Sequence, residues 1–225
     1  MIINFKSLGL ATVATLCLGA FVAQGASAVP LTVEGGGATT YLTGNQAGTI
    51  KFSTPNGTVS CTGNSVSGKS AGTSINEMTL APTMTGCSAY GFAIADVTVN
   101  GCTYTFTTPT AVVQGRVTWG NSQTHISCPV EQYIEVTPTT FGISACTQFF
   151  MTQTPTGGHV MGINVSGSSP ASFEFNFTLS GIHYNGTGGL CGNEETHSDA
   201  TLNGSSTVKC YKNSSHTEQV GCKFS

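Results

Sequence analysis

The densest group of potential metal ligands lies in the segment 194–199. It contains Glu194, Glu195 and Asp199, with His197 among them. Hard oxygen ligands of this kind bind Ca²⁺. The segment lacks the Asp-x-Asp-x-Asp-Gly loop of calcium sites, so a solvated polar turn is the alternative interpretation, and the one that we favour. We predict no metal and no cofactor, and we keep these four residues as the metal candidate.

Ser70 is the one candidate nucleophile. It lies within Gly68-Lys69-Ser70-Ala71-Gly72, which matches the G-x-S-x-G string of hydrolase nucleophile elbows. An elbow requires a sharp turn from a strand into a helix. The flanking Gly and Ser residues predict no helix, and a chain with 29 glycines produces such a string by accident. We therefore predict no catalytic residue.

The other acids and histidines are dispersed along the chain. Glu131 and Glu135 are four residues apart, which predicts one strand face and a separation of about 13 Å. Glycosidase carboxylates lie about 5–9.5 Å apart, so this pair does not indicate a glycosidase, although carboxylates from different strands can still meet. The histidines are His125, His159, His183, His197 and His216.

Aromatic side chains offer a different kind of site. Exposed rings can stack on sugars, and Tyr and Trp keep a polar group in water. Core packing is the competing interpretation, and it accounts for most phenylalanines in a β protein. The candidates are Tyr90, Phe92, Tyr104, Phe106, Trp119, Tyr133, Tyr184 and Tyr211.

The N-terminus is typical of an export signal. Lys6 precedes an apolar stretch over residues 8–22, and Ala26-Ser27-Ala28 supplies the small residues of a cleavage site. The stretch is short for a membrane span of about 20 residues. We predict a signal peptide over residues 1–28 and a single extracellular β domain over residues 29–225, with no membrane span after cleavage.

Cleavage would also make the cysteine count even, because Cys17 lies in the signal. An even set suits disulfides in an oxidising compartment. Metal thiolates are the alternative, but the sequence has no Cys-x-x-Cys and no zinc-finger spacing. The mature cysteines are Cys61, Cys87, Cys102, Cys128, Cys146, Cys191, Cys210 and Cys222. Secretion is therefore the predicted localisation.

Charge is scarce, at 8% of the residues. Lys6 is one of the seven Lys and Arg, so the mature chain carries six of them against ten Asp and Glu, a net charge of −4. Nucleic acid is excluded as a partner, because its binding depends on neutralising phosphates with basic patches.

The elements that must position these residues are β-strands. Short segments between Gly, Pro and Asn predict many antiparallel strands in a β-sandwich-like domain, and no window has helical periodicity. Asn100-Gly101 predicts a hairpin turn. Pro82 is expected to end the strand that contains 78–80. The Gly-rich segment 29–46 predicts only one short strand, at 31–33.

The clearest strand covers residues 173–179. Phe173, Phe175, Phe177 and Leu179 alternate with polar residues and therefore share one face. Ile182 and Tyr184 have the opposite parity, which predicts a bulge or a strand end at Gly181.

Seven short segments carry a resemblance to known proteins. They are 61–65, 81–87, 100–104, 128–129, 145–147, 181–184 and 188–192, with the strings CTGNS, APTMTGC, NGCTY, CP, ACT, GIHY and GGLCG. Together they resemble a group of secreted, β-rich actinobacterial proteins with six cysteines and no assigned activity. The resemblance spans most of the mature chain and implies compartment and fold, without chemistry.

Relative to that group, Cys210 and Cys222 are additional. The resemblance therefore implies that these two cysteines pair with each other. It leads to a hypothesis, among about 105 connectivities, of Cys87–Cys102, Cys128–Cys146 and a long-range Cys61–Cys191 bridge. The first two bridges would each bracket a strand.

These features predict a secreted structural or interaction protein without enzymatic activity. The alternative is a module that binds glycan or cell wall through exposed aromatic rings, and a secreted hydrolase is third. A cell-surface glycan or a protein is the expected kind of partner.

Overall fold

The computed structural model describes residues 29–91, 93–107, 112–113, 116–120, 123–144, 146–188, 191 and 196–225. The predicted signal peptide lies outside these residues, as do Phe92, Glu194 and Glu195. The regular secondary structure of the described chain is almost entirely antiparallel β-structure. No helix in it has the length and the apolar character needed to cross a membrane.

The described residues form eighteen strands. The first nine are β1 (Leu31–Glu34), β2 (Thr39–Gln46), β3 (Ile50–Thr54), β4 (Gly57–Ala71), β5 (Ser74–Ile75), β6 (Glu77–Ala89), β7 (Ala93–Thr98), β8 (Thr103–Thr107) and β9 (Val112–Val113). The others are β10 (Arg116–Gly120), β11 (Thr124–Ser127), β12 (Ile134–Thr140), β13 (Ile143–Ser144), β14 (Thr147–Phe150), β15 (Gly157–Asn164), β16 (Phe173–Thr187), β17 (Thr196–Tyr211) and β18 (Gln219–Phe224).

Eight strands close into a ring at one end of the molecule. Backbone pairing passes through β3, β4, β6, β7, β12, β14, β16 and β17, and then returns to β3. Each strand of the ring is thus paired on both sides, which removes the exposed edges on which strands of other chains can add.

Four long strands continue from the ring into the other half of the molecule. They are β4, β6, β16 and β17, with 15, 13, 15 and 16 residues. There they pair with β2, β8 and β15, and β10 and β11 extend the sheet. A small sheet of β5, β1 and β18 packs beside it. The predicted disulfide-stapled, all-β class is confirmed.

The apolar alternation predicted for residues 173–179 forms part of the core. Phe173, Phe175 and Leu179 are buried, and Phe177 packs against the same cluster. The ring of Phe175 lies 4.5 Å from that of Phe106 and 5.3 Å from that of Trp119, centroid to centroid, in tilted and edge-on geometries that aromatic pairs favour.

The predicted bulge at Gly181 is confirmed. The register between β16 and β17 shifts between Leu179 and Ile182, and Gly181 has a φ of 63°. The bulge adds one residue to β16, which reverses the face to which each later side chain points. Ile182 and Tyr184 therefore point into the core, although their parity is opposite to that of Leu179.

The hairpin predicted at Asn100-Gly101 is wrong, although the turn exists. Both residues have positive φ, and the Cys102 amide donates to the Val99 carbonyl. However, β7 and β8 do not pair with each other. Both pair with the same edge of β6, but their registers differ by two residues. The Cys87↔Ala95 register of β7, if continued, would bring residue 102 opposite Leu80, whereas β8 has Tyr104 at that position. Asn100-Gly101 is therefore a two-residue bulge in one long return strand.

The turn that joins β6 to this return strand begins at Tyr90-Gly91, where φ is 56° and 79°. The sequence pattern did not indicate it, since tyrosine is uncommon in the left-handed region. Pro82 also does not end its strand, because β6 runs on to Ala89. Pro82 lies between the part of β6 that pairs with β8 and the part that pairs with β7. On this edge of β6 the described residues form no backbone pairing at Pro82, so the missing N–H interrupts no hydrogen bond.

The Gly-rich segment 29–46 likewise contains more structure than predicted. Besides β1 it forms β2, an eight-residue strand that pairs with β4 on one side and β17 on the other. Its glycine, Gly44, lies where a Cβ would crowd Val66 and Val208 on the neighbouring strands. Close strand approach, rather than a loop, accounts for this glycine.

All eight cysteines of residues 29–225 form disulfides, but three of the four predicted pairs are wrong. The bridges are Cys61–Cys87, Cys102–Cys128, Cys146–Cys191 and Cys210–Cys222. The last of them is the predicted one. The proposed pairs Cys87–Cys102, Cys128–Cys146 and Cys61–Cys191 are replaced.

Strand register explains the corrections. Cys61 and Cys87 stand directly opposite each other on β4 and β6. The Ser127↔Thr103 register of β11 and β8, extended by one residue, brings Cys128 opposite Cys102. By contrast, the β6–β8 register places Cys102 level with position 82, about 16 Å along the strand from Cys87. A disulfide cannot span that distance.

The β12–β13 hairpin exposes a phenylalanine in an unfavourable backbone conformation. Phe141 and Gly142 form its two-residue turn, with φ of 52° and 77°. The Phe141 side chain is 99% exposed, and Ile143 and Ile94 nearby are 73% and 70% exposed. Turns of this kind favour Asn-Gly, because asparagine tolerates the left-handed region better than a bulky residue.

We expect Phe141→Asn to stabilise the fold by about 1 kcal/mol. Asparagine adopts the left-handed backbone conformation at lower cost than phenylalanine, and the exposed Phe141 side chain makes no buried contact that would be lost. Urea unfolding followed by tryptophan fluorescence measures the change. The control is Ile143→Asn, which removes a similarly exposed apolar side chain outside the left-handed turn. A midpoint of Phe141→Asn at or below the wild-type value would contradict the interpretation.

Candidate functional site

The metal candidate is not assembled in the described part of the chain. The His197 ring stacks on Tyr184, with centroids 4.9 Å apart and planes at 19°. Asp199 lies in the adjoining register shift of β17 and is exposed. Within the described residues no group of three or more His, Cys, Asp or Glu can hold a metal ion. Glu194 and Glu195 fall outside those residues.

Ser70 does not lie on a nucleophile elbow. It is paired with Thr40 inside β4, which continues to Ala71, and its hydroxyl donates to the Glu77 carbonyl oxygen at 3.1 Å. The chain then turns into β5 rather than into a helix. The geometry that would expose and activate a serine is therefore missing at this position.

Glu131 and Glu135 do not share a strand face as predicted. Glu131 precedes β12, in a turn where its φ is 58°, whereas Glu135 lies within β12. Asn100 Nδ2 donates to Glu135 Oε1 at 3.3 Å. The histidines are dispersed, as expected. His125 bonds to Thr154, His197 stacks on Tyr184 and His216 lies on the turn between β17 and β18.

Four of the eight aromatic candidates for sugar stacking are core residues. Tyr104, Phe106, Trp119 and Tyr184 are all at most 8% exposed. They belong to the packed interior, so the hypothesis that these four side chains form a stacking surface is wrong. Tyr211 is the exception that matters, because its ring lies 5.2 Å from that of His216 beside a surface cleft.

This cleft has a volume of about 480 Å³ and lies on the outer face of the sheet. Its floor is formed by β4, β6 and β8, and its wall by Tyr41 of β2 and by the β17–β18 turn. The volume falls within the range of small-molecule sites in proteins, about 300–1,000 Å³.

The floor is made of small and hydroxyl side chains around one lysine. Strand alternation and register align them in two rows across the sheet. One row contains Tyr41 and Lys69, which are directly paired, and continues to Thr79. The second row runs through Ser67 and Ala81 to Thr103. At Gly68 the strands approach so closely that a Cβ would collide with the Thr79 carbonyl oxygen.

The wall of the cleft is a pre-organised turn. Asn213 Oδ1 accepts from the amides of Thr217 and Glu218, at 3.1 and 3.3 Å, and Asn213 Nδ2 donates to Thr217 Oγ1 at 2.8 Å. This side-chain cap fixes the loop in a turn. It places His216, with a φ of 55°, edge-on to Tyr41 at a centroid distance of 6.3 Å.

The Cys210–Cys222 disulfide closes the base of the same hairpin. Cys210 pairs with Val220 in the ladder, and the Lys212 amide donates to the Glu218 carbonyl at 3.0 Å just above it. The Cys210–Cys222 bridge therefore supports the wall that presents Ser214 and His216.

An interior cavity is another space formed by the described residues, but its lining offers fewer polar groups. It has a volume of about 40 Å³ and lies between β6 and β8 on one side and β16 and β17 on the other. Its lining is apolar apart from Tyr104 and Ser206. The Tyr104 hydroxyl has no hydrogen-bond partner in the described residues, and burial raises its pKa. A void of this size resembles a packing defect more than a site.

Sequence reasoning missed this cleft for two reasons. Tyr41 lies in the segment that was predicted to contain no strand beyond residue 33, and Ser67 and Lys69 lie in a Gly- and Ser-containing stretch in which no strand was predicted. The run from Thr39 to Thr43 is rich in residues that favour strands, and it was the available signal for β2. No sequence signal places the 213–217 turn above β4 and β6.

Comparison with known proteins found no family model that matches the chain, no curated protein similar in sequence and no solved structure similar in fold. The function therefore has to be inferred from the chemistry of the cleft.

If the disulfide supports the cleft wall, the double variant Cys210→Ala/Cys222→Ala loses protection at the Lys212 amide in hydrogen exchange. The global cost should be about 3 kcal/mol. The control is Cys102→Ala/Cys128→Ala, which opens a different bridge. Selective loss of Lys212 protection in the first variant is expected, and equal exchange in both would contradict the assignment.

A second prediction concerns alkaline stability. Burial raises the pKa of Tyr104 above its ordinary value of 10.0, so the folded state retains a proton that the unfolded chain loses. The free energy of unfolding should therefore fall as pH rises above about 10. Tyr104→Phe should flatten this fall, as measured by urea unfolding from pH 8 to 11. Identical pH profiles for the two proteins would refute the prediction.

Proposed function

We propose that the protein is a secreted, non-catalytic interaction protein that binds glycan in the cleft between β4, β6 and the β17–β18 turn. The observation that carries the proposal is the juxtaposition of two ring side chains, Tyr41 and His216, with a hydroxyl-lined floor.

The lining suits a sugar because it combines an aromatic face with several small polar groups. A ring such as Tyr41 offers apolar area to the C–H face of a pyranose and keeps its hydroxyl in water. Serine and threonine hydroxyls both donate and accept hydrogen bonds, as sugar hydroxyls do. The three hydroxyls of Ser67, Thr79 and Thr103 lie at or beside the floor, on three adjacent strands.

Binding is favoured over hydrolysis by the same lining. Glycoside hydrolysis uses a pair of carboxylic acids on either side of the scissile bond. The described residues that line the cleft include neither Asp nor Glu. The arrangement therefore supports recognition without the acid and base that cleavage requires.

Secretion is supported by the covalent framework. Four intramolecular disulfides connect all eight cysteines of residues 29–225. Such bridges form and persist in oxidising compartments. A glycan ligand of the cell surface or the surrounding medium is consistent with that location.

The test is retention of the mature protein on insoluble cellulose, chitin and peptidoglycan, with dissociation constants from depletion isotherms. Tyr41→Ala should weaken binding about tenfold, or about 1.4 kcal/mol, because the stacking surface is lost.

Tyr133→Ala is the matched control, since Tyr133 is an exposed tyrosine that packs on Phe149, away from the cleft. Its binding should equal that of the wild type. Trp119→Ala is unsuitable, because Trp119 is 2% exposed and its removal tests folding. Absence of retention on all polymers, or unchanged binding by Tyr41→Ala, would refute the proposal.

A further inference from the structure

We infer that the cleft selects an acidic glycan, and that Lys69 is the residue that recognises its carboxylate or phosphate group. This inference rests on the proposed glycan binding and names the class of ligand within it. Lys69 is the only Lys or Arg among the described residues that line the cleft, where it stands beside hydroxyls and aromatic rings.

The position of Lys69 fits a role in binding an anionic group of the ligand. It is exposed on the outer face of β4, directly paired with Tyr41 on β2. Adjacent strands are about 4.8 Å apart. A pyranose stacked on Tyr41 therefore has its ring substituents within reach of the Lys69 ammonium, which moves on a flexible four-carbon stem.

The charge of Lys69 is not neutralised within the described structure. The ion pair formed by the described residues is Lys223–Glu34, at 2.9 Å on another part of the surface. Two carboxylates lie on elements that border the cleft: Glu77, two residues from Thr79 on β6, and Glu218, which accepts a hydrogen bond from Asn213 at the stem of the turn. In the described chain neither approaches Lys69 to ion-pairing distance.

The surroundings make this cation distinctive. The mature chain has few charges and more acids than bases, so its overall field repels anions. An anionic ligand must therefore gain its affinity locally, from a lysine held next to the stacking ring. Such an interaction is screened by salt, because it lies at the surface.

Paired polymers that differ only in charge provide the test. Polygalacturonate is compared with its methyl ester, and phosphomannan with dephosphorylated mannan, by affinity electrophoresis and titration calorimetry at low salt. These arms separate carboxylate from phosphate recognition. We expect the wild type to bind at least one acidic polymer about tenfold more tightly than its neutral counterpart, and 0.5 M NaCl to abolish the difference.

The variants identify the residue. Lys69→Gln should remove the preference while retaining the affinity for the neutral polymer, and Lys69→Arg should restore it. Lys51→Gln is the matched control, because Lys51 is exposed on β3, paired with Ser60 of β4 far along the strand from Lys69, and outside the cleft lining. Unfolding midpoints of all variants should match the wild type, since Lys69 and Lys51 are both exposed.

The outcomes separate the two proposals. Equal affinity for charged and neutral polymers, or a preference that survives Lys69→Gln, would overturn the inference and leave glycan binding intact. Failure to bind any polymer, charged or neutral, here and on the insoluble polysaccharides, would instead refute the proposed function itself.

Discussion

The antiparallel register between β4 and β6 is the constraint on which most of the structure depends. These strands pair from Val59↔Ala89 to Gly68↔Leu80, through both halves of the molecule. At one end the register brings Cys61 opposite Cys87, and at the other it aligns Ser67 with Ala81 in the floor of the cleft. Because side chains alternate between faces, a slip of one residue would exchange the core face and the cleft face.

A single local irregularity allows the neighbouring strands to follow this pair. The two additional residues at Asn100-Gly101 let β7 and β8 run along the same edge of β6 in different registers. The Cys102–Cys128 bridge follows directly after this bulge, next to the hydrogen bond that Asn100 donates to the Tyr133 carbonyl. The Cys61–Cys87 and Cys102–Cys128 disulfides are therefore consequences of strand register. They in turn stabilise the fold by restricting the unfolded chain.

The two faces of the sheet carry different kinds of side chain. The inner face collects aromatic rings such as Phe106, Trp119 and Phe175, so the strongest candidates for exposed stacking are buried. The outer face has few ionic groups and keeps its hydroxyls available. On that face the β17–β18 turn converts an open sheet into a cleft, because Asn213 and the Cys210–Cys222 bridge hold His216 opposite Tyr41.

Local patterns in the sequence determined the all-β class, the core face of residues 173–179 and the bulge at Gly181, because alternation and glycine act over a few residues. The pair Cys210–Cys222 came from the resemblance, and its short separation is consistent with one hairpin. Partners distant in sequence followed from tertiary structure alone. The choice of neighbouring strands decides that Cys61 pairs with Cys87 and that β7 and β8 pair with β6 rather than with each other. It also decides that His216 packs edge-on to Tyr41. That choice depends on the summed packing and pairing of the whole sheet, which no short segment encodes.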